Sequence, residues 1–357
     1  MRQDQSGIPR AARHRVTRAS HISPRQAVET RRQRPRINDF DTATSSLLMD
    51  IKQLRALLAV AETGSTTKAA ERLHIVQPAV SRHIRLLEED LGVELFERER
   101  HGMLLTDAGK TLAEYGRRAL RELDRARAEI QPAAGLVSGT ADIGLLPSCG
   151  ELLAPELVAT LRDRHPQLGV RLTVGYAGHL RQWLESGDVD AALMYDDKSV
   201  TGLQVQALLD EQLYLVGRPS TVPQAGPLSI MDLEGLALVL PNPPHGLRNV
   251  VEHAFAVSGI DLVIAAETNS LSVQKSLVAK GFAHTILPSS AISDDLARGT
   301  LAAAPIASPA LSRRILLARL ATRTQSTAAS CATAALVSLM KRLVQDGVWR
   351  GATWIGA

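Results

Sequence analysis

Hydrophobic side chains in residues 49–107 recur three and four positions apart, which is the spacing of amphipathic helices. Gly64 and Gly92 interrupt this pattern, Ser65 can cap a helix, and Pro78 suits the first turn of another. The three hydrophobic stripes consist of Ile51, Leu54, Leu57 and Leu58, then Ala69, Ala70 and Leu73, then Val80, Ile84, Leu87 and Leu91. The pattern predicts three short helices, followed by a hairpin that ends near residue 107.

A longer helical pattern runs from Thr106 to Ile130, and most of its other faces are charged. Its heptad-like seam consists of Leu112, Ala119, Leu123, Ala126 and Ile130, with Gly116 at one seam position. Such a seam favours packing against a second helix, so it predicts a dimer. The alternative is a helix that packs against its own domain.

Strand-like and helical segments alternate from residue 139 onward, after a hinge at residues 131–135. The strand-like runs are Ala141–Leu146, Val170–Val174, Ala191–Met194, Gln212–Val216, Ala237–Leu240, Val263–Ala266, His284–Leu287 and Arg314–Leu320. Helical segments such as Glu151–Arg164 lie between most of them. The alternation predicts α/β architecture with largely parallel sheets.

Charge is unevenly distributed along the 357 residues, although the net charge is only +4. Residues 1–48 hold ten Arg against four acidic residues, a net charge of +6, so the remaining 309 residues sum to −2. This extension has no hydrophobic period and is predicted to be disordered. Three interpretations stay open: a solvated or untranslated tail, a basic arm that touches DNA phosphates, and an organellar transit peptide.

Several classes of protein are disfavoured by the composition. The two cysteines, Cys149 and Cys331, are too few for a disulfide framework or a four-cysteine zinc site. The chain shows no GxSxG, HExxH or Walker signature, no apolar run near 18 residues and no secretory signal core. We therefore expect no enzyme, cofactor, metal or membrane segment, and a cytoplasmic location.

The second and third short helices, joined by a tight turn, are typical of a helix-turn-helix. The outward face of the third helix carries Ser81, Arg82 and Arg85, and His83 lies at its flank. Gln77 at its tip can pair with adenine, whereas Arg82 or Arg85 can pair with guanine or hold a phosphate. From periodicity alone, an ordinary helical hairpin with a solvated face is equally compatible.

The residue string GSTTKAAERLHIVQPAVSRHIRLLEEDLGVELFERERHGMLLTDAG resembles the DNA-binding signature of the LysR-type transcriptional regulators. The positions that match are Ala69, Ala70, Leu73, Gln77, Pro78, Ala79, Ser81, Ile84, Leu87, Glu88, Leu91, Gly92, Leu95, Phe96, Arg98, Leu105, Thr106 and Gly109. The resemblance extends from about Met49 to the C-terminus and leaves out residues 1–48.

For DNA binding, the resemblance implies contacts from Gln77, Pro78, Ser81 and Arg82 on the recognition helix. It also implies a wing at residues 98–101 that tracks phosphates or the minor groove. The full set of candidate DNA-binding residues is Gln77, Pro78, Ser81, Arg82, His83, Arg85, Arg98 and Arg100. Leu95 and Phe96 are expected to pack the wing on the core.

For the whole chain, the resemblance implies a winged helix-turn-helix at 49–107, a linker and dimerisation helix at 108–136 and an effector domain at 137–357. The effector domain is expected to resemble periplasmic binding proteins, with lobe I at about 139–212 and 319–357 and lobe II at about 213–318. The implied partners are double-stranded DNA with an interrupted palindrome, a small-molecule effector, RNA polymerase and further copies in a homodimer or homotetramer.

An effector site is expected between the lobes, where strands run into helix N-termini that attract anions. The candidate effector-binding residues are Ser148, Cys149, His245, Gly246, Arg248, Thr268 and Ser270. Each has a competing structural role: helix capping for Ser148 and His245, an inert thiol for Cys149, a solvated or inter-subunit position for Arg248. The rival function is a transport-type solute-binding protein of the same two-lobed fold, which the helix-turn-helix disfavours.

Overall fold

In a computed structural model of the chain, the described residues are 49–99, 102–130, 137–196, 202–223 and 226–356. The Arg-rich extension at residues 1–48, the wing-tip residues Arg100 and His101 and the predicted hinge at 131–135 lie outside the described residues. Asp50 to Ala357 make up one unit of contacting chain.

Three helices and a hairpin form the N-terminal head, residues 50–105. Its elements are α1 (Ile51–Thr63), α2 (Thr66–Leu73), α3 (Gln77–Leu91), β1 (Phe96–Glu99) and β2 (Gly102–Leu105). Asp50 and Gln53 form a capping box at the start of α1, and the Ser65 hydroxyl accepts a hydrogen bond from the Lys68 N–H in α2. Pro78 occupies the first turn of α3, so the predicted helices and their boundaries are confirmed.

The core of the head lies between the three helices and the hairpin. Val80, Ile84 and Leu87 of α3 are buried there, as are Leu95 and Phe96 before the wing. Leu91 was predicted to complete the stripe, but it is 39% exposed because it lies in the last turn, beyond the core. Gly102 opens β2 with φ 138°, and a Cβ there would meet the Gly64 carbonyl oxygen at 2.6 Å, so this position requires glycine.

The long helix α4 (Asp107–Ile130) joins the head to the rest of the chain. Near its start, Ala113 is buried in the head, and Gly116 lies against the side chain of Leu54 in α1. Further along, Arg121 forms an ion pair with Asp188, and Arg125 forms one with Asp190. Two seam residues, Leu123 and Ile130, are 48% and 79% exposed. Both ends of α4 are therefore anchored within the chain, while its seam is uncovered.

The rest of the chain is built of alternating strands and helices, as predicted. The strands are β3 (Gly139–Leu145), β4 (Leu168–Val174), β5 (Ala191–Tyr195), β6 (Leu203–Gly217), β7 (Leu228–Ser229), β8 (Ala237–Leu240), β9 (Val263–Glu267), β10 (Thr285–Pro288), β11 (Ala302–Ser308), β12 (Ser312–Leu320) and β13 (Ala352–Trp354). The helices are α5 (Pro147–Arg164), α6 (Ala177–Ser186), α7 (Gly246–Ser258), α8 (Leu271–Ala279), α9 (Ser293–Arg298) and α10 (Thr327–Gln345). Short 3-10 helices lie at Ile230–Leu233 and Ser289–Ala291.

Two separate hydrophobic cores divide this part of the chain into lobes. The core of lobe I takes its buried residues from 141–209 and 315–349, and the core of lobe II takes them from 213–311. The chain passes between the lobes along β6, whose first part pairs with β12 and whose last part pairs with β10 and β11. A single mixed sheet, in the order β4-β3-β5-β12-β6-β11-β7, therefore runs through both lobes.

The expectation of largely parallel sheets was wrong at the junction of the lobes. Pairing is parallel between β3 and its neighbours β4 and β5, and between β8 and β9. In contrast, β6 is antiparallel to β10, β11, β12 and β13. The chain enters lobe II along β6 and returns along β11 and β12, which both run opposite to β6, so the strands at this junction pair antiparallel.

Helix α10 is long and apolar enough to cross a membrane by length and composition. It packs in the core of lobe I, where Ala332, Leu336 and Met340 are fully buried. Its apolar character is therefore explained by this internal position.

Candidate functional sites

The outward face of α3 presents a row of polar side chains that its buried face holds in place. Gln77 is exposed, and its Nε2 donates to the Ser81 hydroxyl at 2.9 Å and to the Thr66 hydroxyl at 3.2 Å. Both hydrogens of that amide are thus engaged within the head, and its oxygen is left to accept. Pro78 and Arg82 are exposed on the same end of the helix.

A groove of about 1030 Å³ runs between α3 and the wing hairpin. Six of the predicted DNA-binding residues line it: Gln77, Pro78, Ser81, Arg82, Arg85 and Arg98. Arg85 is paired with Glu89 one turn further along α3, at 3.1 Å, and both side chains are exposed. The helix tip and the wing therefore face one open space, which is the arrangement that reading a groove of duplex DNA requires.

His83 does not line this groove. It is half-buried, its Nδ1 has no hydrogen-bond partner, and it lines a second groove with Lys52, Pro78 and Arg82. Pro78 and Arg82 line both grooves, so His83 shares a surface with two of the six residues named above. Arg100, the eighth candidate, lies outside the described residues.

A small cavity of about 30 Å³ lies between lobe I and lobe II. Its wall comes from loops and strands that are far apart in sequence. The lining residues are Pro147, Ser148, Tyr176, Tyr195, Pro241, His245, Leu247, Leu271, Gln274, Leu287 and Arg313. The cavity wall therefore combines aromatic and aliphatic groups with hydrogen-bonding groups from both lobes.

Arg313 of β12 supplies the positive charge of this cavity. Its side chain is only 4% exposed, and its guanidinium lies 4.1 Å from the centre of the Tyr195 ring. Its Nε donates to the Glu211 carboxylate at 2.6 Å, and one terminal nitrogen donates to the Ser148 hydroxyl at 2.9 Å. A buried cation fixed by three neighbours presents its positive charge at a defined position in the cavity wall.

Ser148 connects Arg313 to a second hydroxyl. Its Oγ lies 2.8 Å from the phenolic oxygen of Tyr195, and it belongs to the first turn of α5. Burial raises the pKa of Tyr195, so this phenol is neutral at physiological pH. The pair therefore offers the cavity hydroxyl groups rather than a negative charge.

His245 caps α7 and also lines the cavity. Its Nδ1 accepts a hydrogen bond from the Leu247 N–H at 3.1 Å, and its ring meets that of Tyr176 edge-on, with centroids 5.0 Å apart. Burial, assisted by the positive charge of Arg313, lowers the pKa of His245 to about 4. The neutral ring that accepts at Nδ1 must carry its proton on Nε2, which makes Nε2 a donor.

Four of the predicted effector-binding residues lie outside the cavity wall. Cys149 is fully buried, and burial raises the pKa of its thiol to about 12, so it is inert. Arg248 is buried too, but it pairs with Glu252 and Glu267 and donates to the Pro241 carbonyl. Ser270 caps α8, and its N–H bonds to the Thr268 hydroxyl.

Gly246, the remaining candidate, is at the edge of the cavity as the first residue of α7. A Cβ built on it would lie 3.7 Å from the Tyr195 ring. Of the seven predicted residues, the structure thus places Ser148 and His245 in the wall and Gly246 beside it. Both wall residues lie where the chain passes from a strand into a helix, Ser148 in the first turn of α5 and His245 at the cap of α7.

Sequence reasoning missed Arg313, Tyr195, Tyr176 and Gln274. Arg313 and Arg314 stand together at the start of a strand, where side chains alternate between the two faces. One of two consecutive arginines in a strand must therefore point inward, and this signal could have identified a buried cation. Among the described residues, no group of three or more His, Cys, Asp or Glu is placed to hold a metal ion.

Two family models match the sequence. The bacterial regulatory helix-turn-helix of the lysR family matches residues 51–110, and the LysR substrate binding domain matches residues 134–341. The nitrogen assimilation regulatory protein nac of Klebsiella aerogenes is 30% identical over 298 residues, which are 82% of this chain and 96% of that protein. The regulator BbuR of Bordetella bronchiseptica is 32% identical over 266 residues, 74% of this chain and 82% of BbuR.

Solved structures show the same architecture. Full-length CbnR, in complex with its target DNA, matches with a TM-score of 0.63 and 26% identity over 82% of this chain and 99% of CbnR. Full-length OxyR of Pseudomonas aeruginosa matches with a TM-score of 0.63 and 24% identity over 86% and 98%. The predicted α/β fold class and the prediction of a regulator rather than an enzyme are thereby confirmed. The chain belongs to the LysR-type family of bacterial transcriptional regulators.

Proposed function

We propose that this regulator senses a small organic monoanion in the cavity between its lobes and changes transcription in response. The observation that carries the proposal is the buried guanidinium of Arg313, which lines a cavity bounded by residues of both lobes. The Ser148 hydroxyl and the Nε2–H of His245 add donors on either side. A carboxylate is the group that these donors fit best.

The charge balance of the site favours one negative charge over two. Glu211 already compensates Arg313, so a bound carboxylate adds a net charge of −1. The first turns of α5 and α7, which begin at Pro147 and Gly246, attract one such charge through their free N–H groups. The cavity of about 30 Å³ has room for little more than a carboxylate, so the lobes must separate before the aliphatic and aromatic part of the wall can contact the remainder of the acid.

On the DNA side, we infer a homodimer whose α4 helices pair along the uncovered seam of Leu123 and Ile130. Two recognition helices would enter major grooves about 34 Å apart, so the site is an interrupted palindrome. We keep the division into a DNA-binding domain at 49–107, a linker helix at 108–136 and an effector domain at 137–357. We further propose a cytoplasmic location, RNA polymerase as a partner, and tetramers that form through the effector domains.

A thermal-shift experiment on the full-length chain tests the effector class. Acetate, pyruvate and benzoate are titrated at constant ionic strength, and at least one is expected to raise the midpoint of unfolding in a saturable way. Arg313→Gln should remove that shift, whereas Arg314→Gln, which changes the exposed neighbouring arginine, should keep it. A shift that survives Arg313→Gln would contradict the proposed site.

A further inference from the structure

Glu211 is a buried carboxylate at the point where β6 passes from one lobe to the other. The residue is only 1% exposed. In the sheet it stands opposite Arg313 of β12 on one side and opposite Ala352 of β13 on the other. Glu211 therefore lies between β12 and the C-terminal strand β13, on the strand β6 that links the two lobes.

Three separate segments donate hydrogen bonds to this one carboxylate. Arg313 donates to Oε1 at 2.6 Å, while Ser290 and the indole nitrogen of Trp349 each donate to Oε2 at 3.1 Å. Ser290 belongs to a 3-10 helix of lobe II, and Trp349 follows α10 of lobe I. Glu211 thus connects the cavity cation, lobe II and the C-terminal segment through two oxygen atoms.

The neighbouring ion pair on the same two strands is far more exposed than the pair of Arg313 and Glu211. Arg314 and Asp210 pair at 2.8 Å one position along the same two strands, but there the side chains are 44% and 34% exposed. Water can replace either partner of that pair, whereas no water can compensate a change at the buried carboxylate. A weaker hydrogen bond from Arg313 to Oε1 must therefore be compensated by Ser290 and Trp349, which donate to Oε2.

We propose that Glu211 is the positioning residue through which anion binding at Arg313 reaches the junction of the lobes. An anion that accepts hydrogen bonds from the Arg313 guanidinium weakens the bond between Arg313 and Glu211. The carboxylate then turns toward Ser290 and Trp349, which lie on opposite sides of the junction, and the angle between the lobes changes. This proposal rests on the proposed function, because it needs an anion at Arg313.

A purely structural ion pair would behave differently. In that case Glu211 would only hold Arg313 in the fold, and an anion in the cavity would leave the environment of Trp349 unchanged. The decisive readout is therefore the response of Trp349 to binding, rather than binding or stability alone.

The experiment uses the full chain with Trp183 and Trp354 changed to Phe, so that Trp349 is the single tryptophan. Acetate, pyruvate and benzoate are titrated by calorimetry and by tryptophan emission in parallel. We expect the emission of Trp349 to change and to saturate at the same acid concentration as the calorimetric heat. An acid that binds without altering this emission would overturn the role of Glu211 and leave the proposed function intact.

Glu211→Gln in the same background removes the competing charge but keeps the size of the side chain. We expect the acid to bind about tenfold more tightly, because the guanidinium is no longer shared with a carboxylate, while the Trp349 response is lost. If Glu211→Gln does not fold, Ser290→Ala in the single-tryptophan background replaces it, because this change removes one donor to Oε2 and keeps Trp349 as the reporter. The Trp349 response to the acid should then be reduced, and an unchanged response would overturn the role of Glu211.

If none of the three acids binds the unaltered chain, the effector class proposed above fails, and the role of Glu211 fails with it because that role needs an anion at Arg313. An acid that binds without a Trp349 response overturns the role of Glu211 alone, so the two failures are distinguishable.

Discussion

The two polar sites of this regulator are built in opposite ways. On α3, exposed side chains such as Gln77 and Arg82 project from one continuous helix, and their partners are local. In the cavity, the polar groups are buried, come from distant segments and bond to one another, as Arg313 does with Glu211 and Ser148. The first site can lose a side chain at a cost to binding alone, whereas the second cannot do so without a cost to folding.

The largest effect is expected from Arg313→Gln, which leaves Glu211 as a buried charge without its ion-pair partner. Such a loss costs about 3–5 kcal/mol in the free energy of unfolding. Urea unfolding of the full chain measures it, with Arg314→Gln as the exposed control on the same strand. The double change Arg313→Met with Glu211→Leu should recover most of the loss. Equal destabilisation by Arg313→Gln and Arg314→Gln would contradict the expected difference between the buried and the exposed polar groups.

Arg82→Ala should behave in the opposite way. We expect it to weaken binding to the specific operator by about 1–3 kcal/mol if Arg82 contacts a base, and to leave the unfolding free energy unchanged. Retardation of target and random DNA by the full chain, at one salt concentration, separates the possibilities. An equal loss on both DNAs would make Arg82 a phosphate contact.

His245 gives the cavity a pH dependence that the recognition helix does not share. Its pKa in the folded chain is about 4, below the value of about 6.5 in the unfolded chain, so the unfolded state binds more protons between these values. Stability should therefore fall as the pH drops from about 6.5 to about 4, by about 2 kcal/mol after allowance for partial exposure of the ring.

Urea unfolding at a series of pH values tests this expected loss of stability at low pH. His245→Asn keeps an acceptor for the Leu247 N–H but does not titrate, so its stability should depend less on pH. His253→Asn, at an exposed position of the same helix, is the matched control. An unchanged pH dependence in His245→Asn would show that other groups cause it.

Ser65→Ala should produce a small, local effect. Removing this cap leaves the N–H of Lys68 without its partner and costs about 1 kcal/mol in the stability of the head. Thr67→Ala, on the exposed side of the same helix, serves as the control. Hydrogen exchange of α2 amides measures the change, and equal exchange in both variants would refute the capping role.

The difference between the sites also explains what the sequence could predict. Helix caps, the buried face of α3 and the row of Gln77, Ser81 and Arg82 depend on residues a few positions apart, so their pattern is visible in one stretch of chain. Leu91 was misassigned because periodicity does not show where a core ends. Ser148 and His245 were found because each follows a strand and precedes a helix.

Arg313 and Glu211 could not be paired from the sequence, because 102 residues separate them and only the register of β6 on β12 brings them together. In this register β6 and β12 run antiparallel, against the expectation of largely parallel sheets. Strand-like runs identify the elements of this sheet, but they do not show that the chain returns from lobe II alongside the strand by which it entered.

The ion pairs between α4 and lobe I have a mechanical consequence. Arg121 and Arg125 fasten the C-terminal half of this helix to lobe I, and Leu54 packs on its N-terminal half at Gly116. Arg125 lies eighteen residues, or about 27 Å, from the first residue of this helix, so a tilt of about 10° at Arg125 moves that first residue by about 5 Å. That displacement is a sizeable fraction of the width of a DNA major groove, about 12 Å. In the dimer proposed above, a small rotation of lobe I would thus change how the two heads fit one operator.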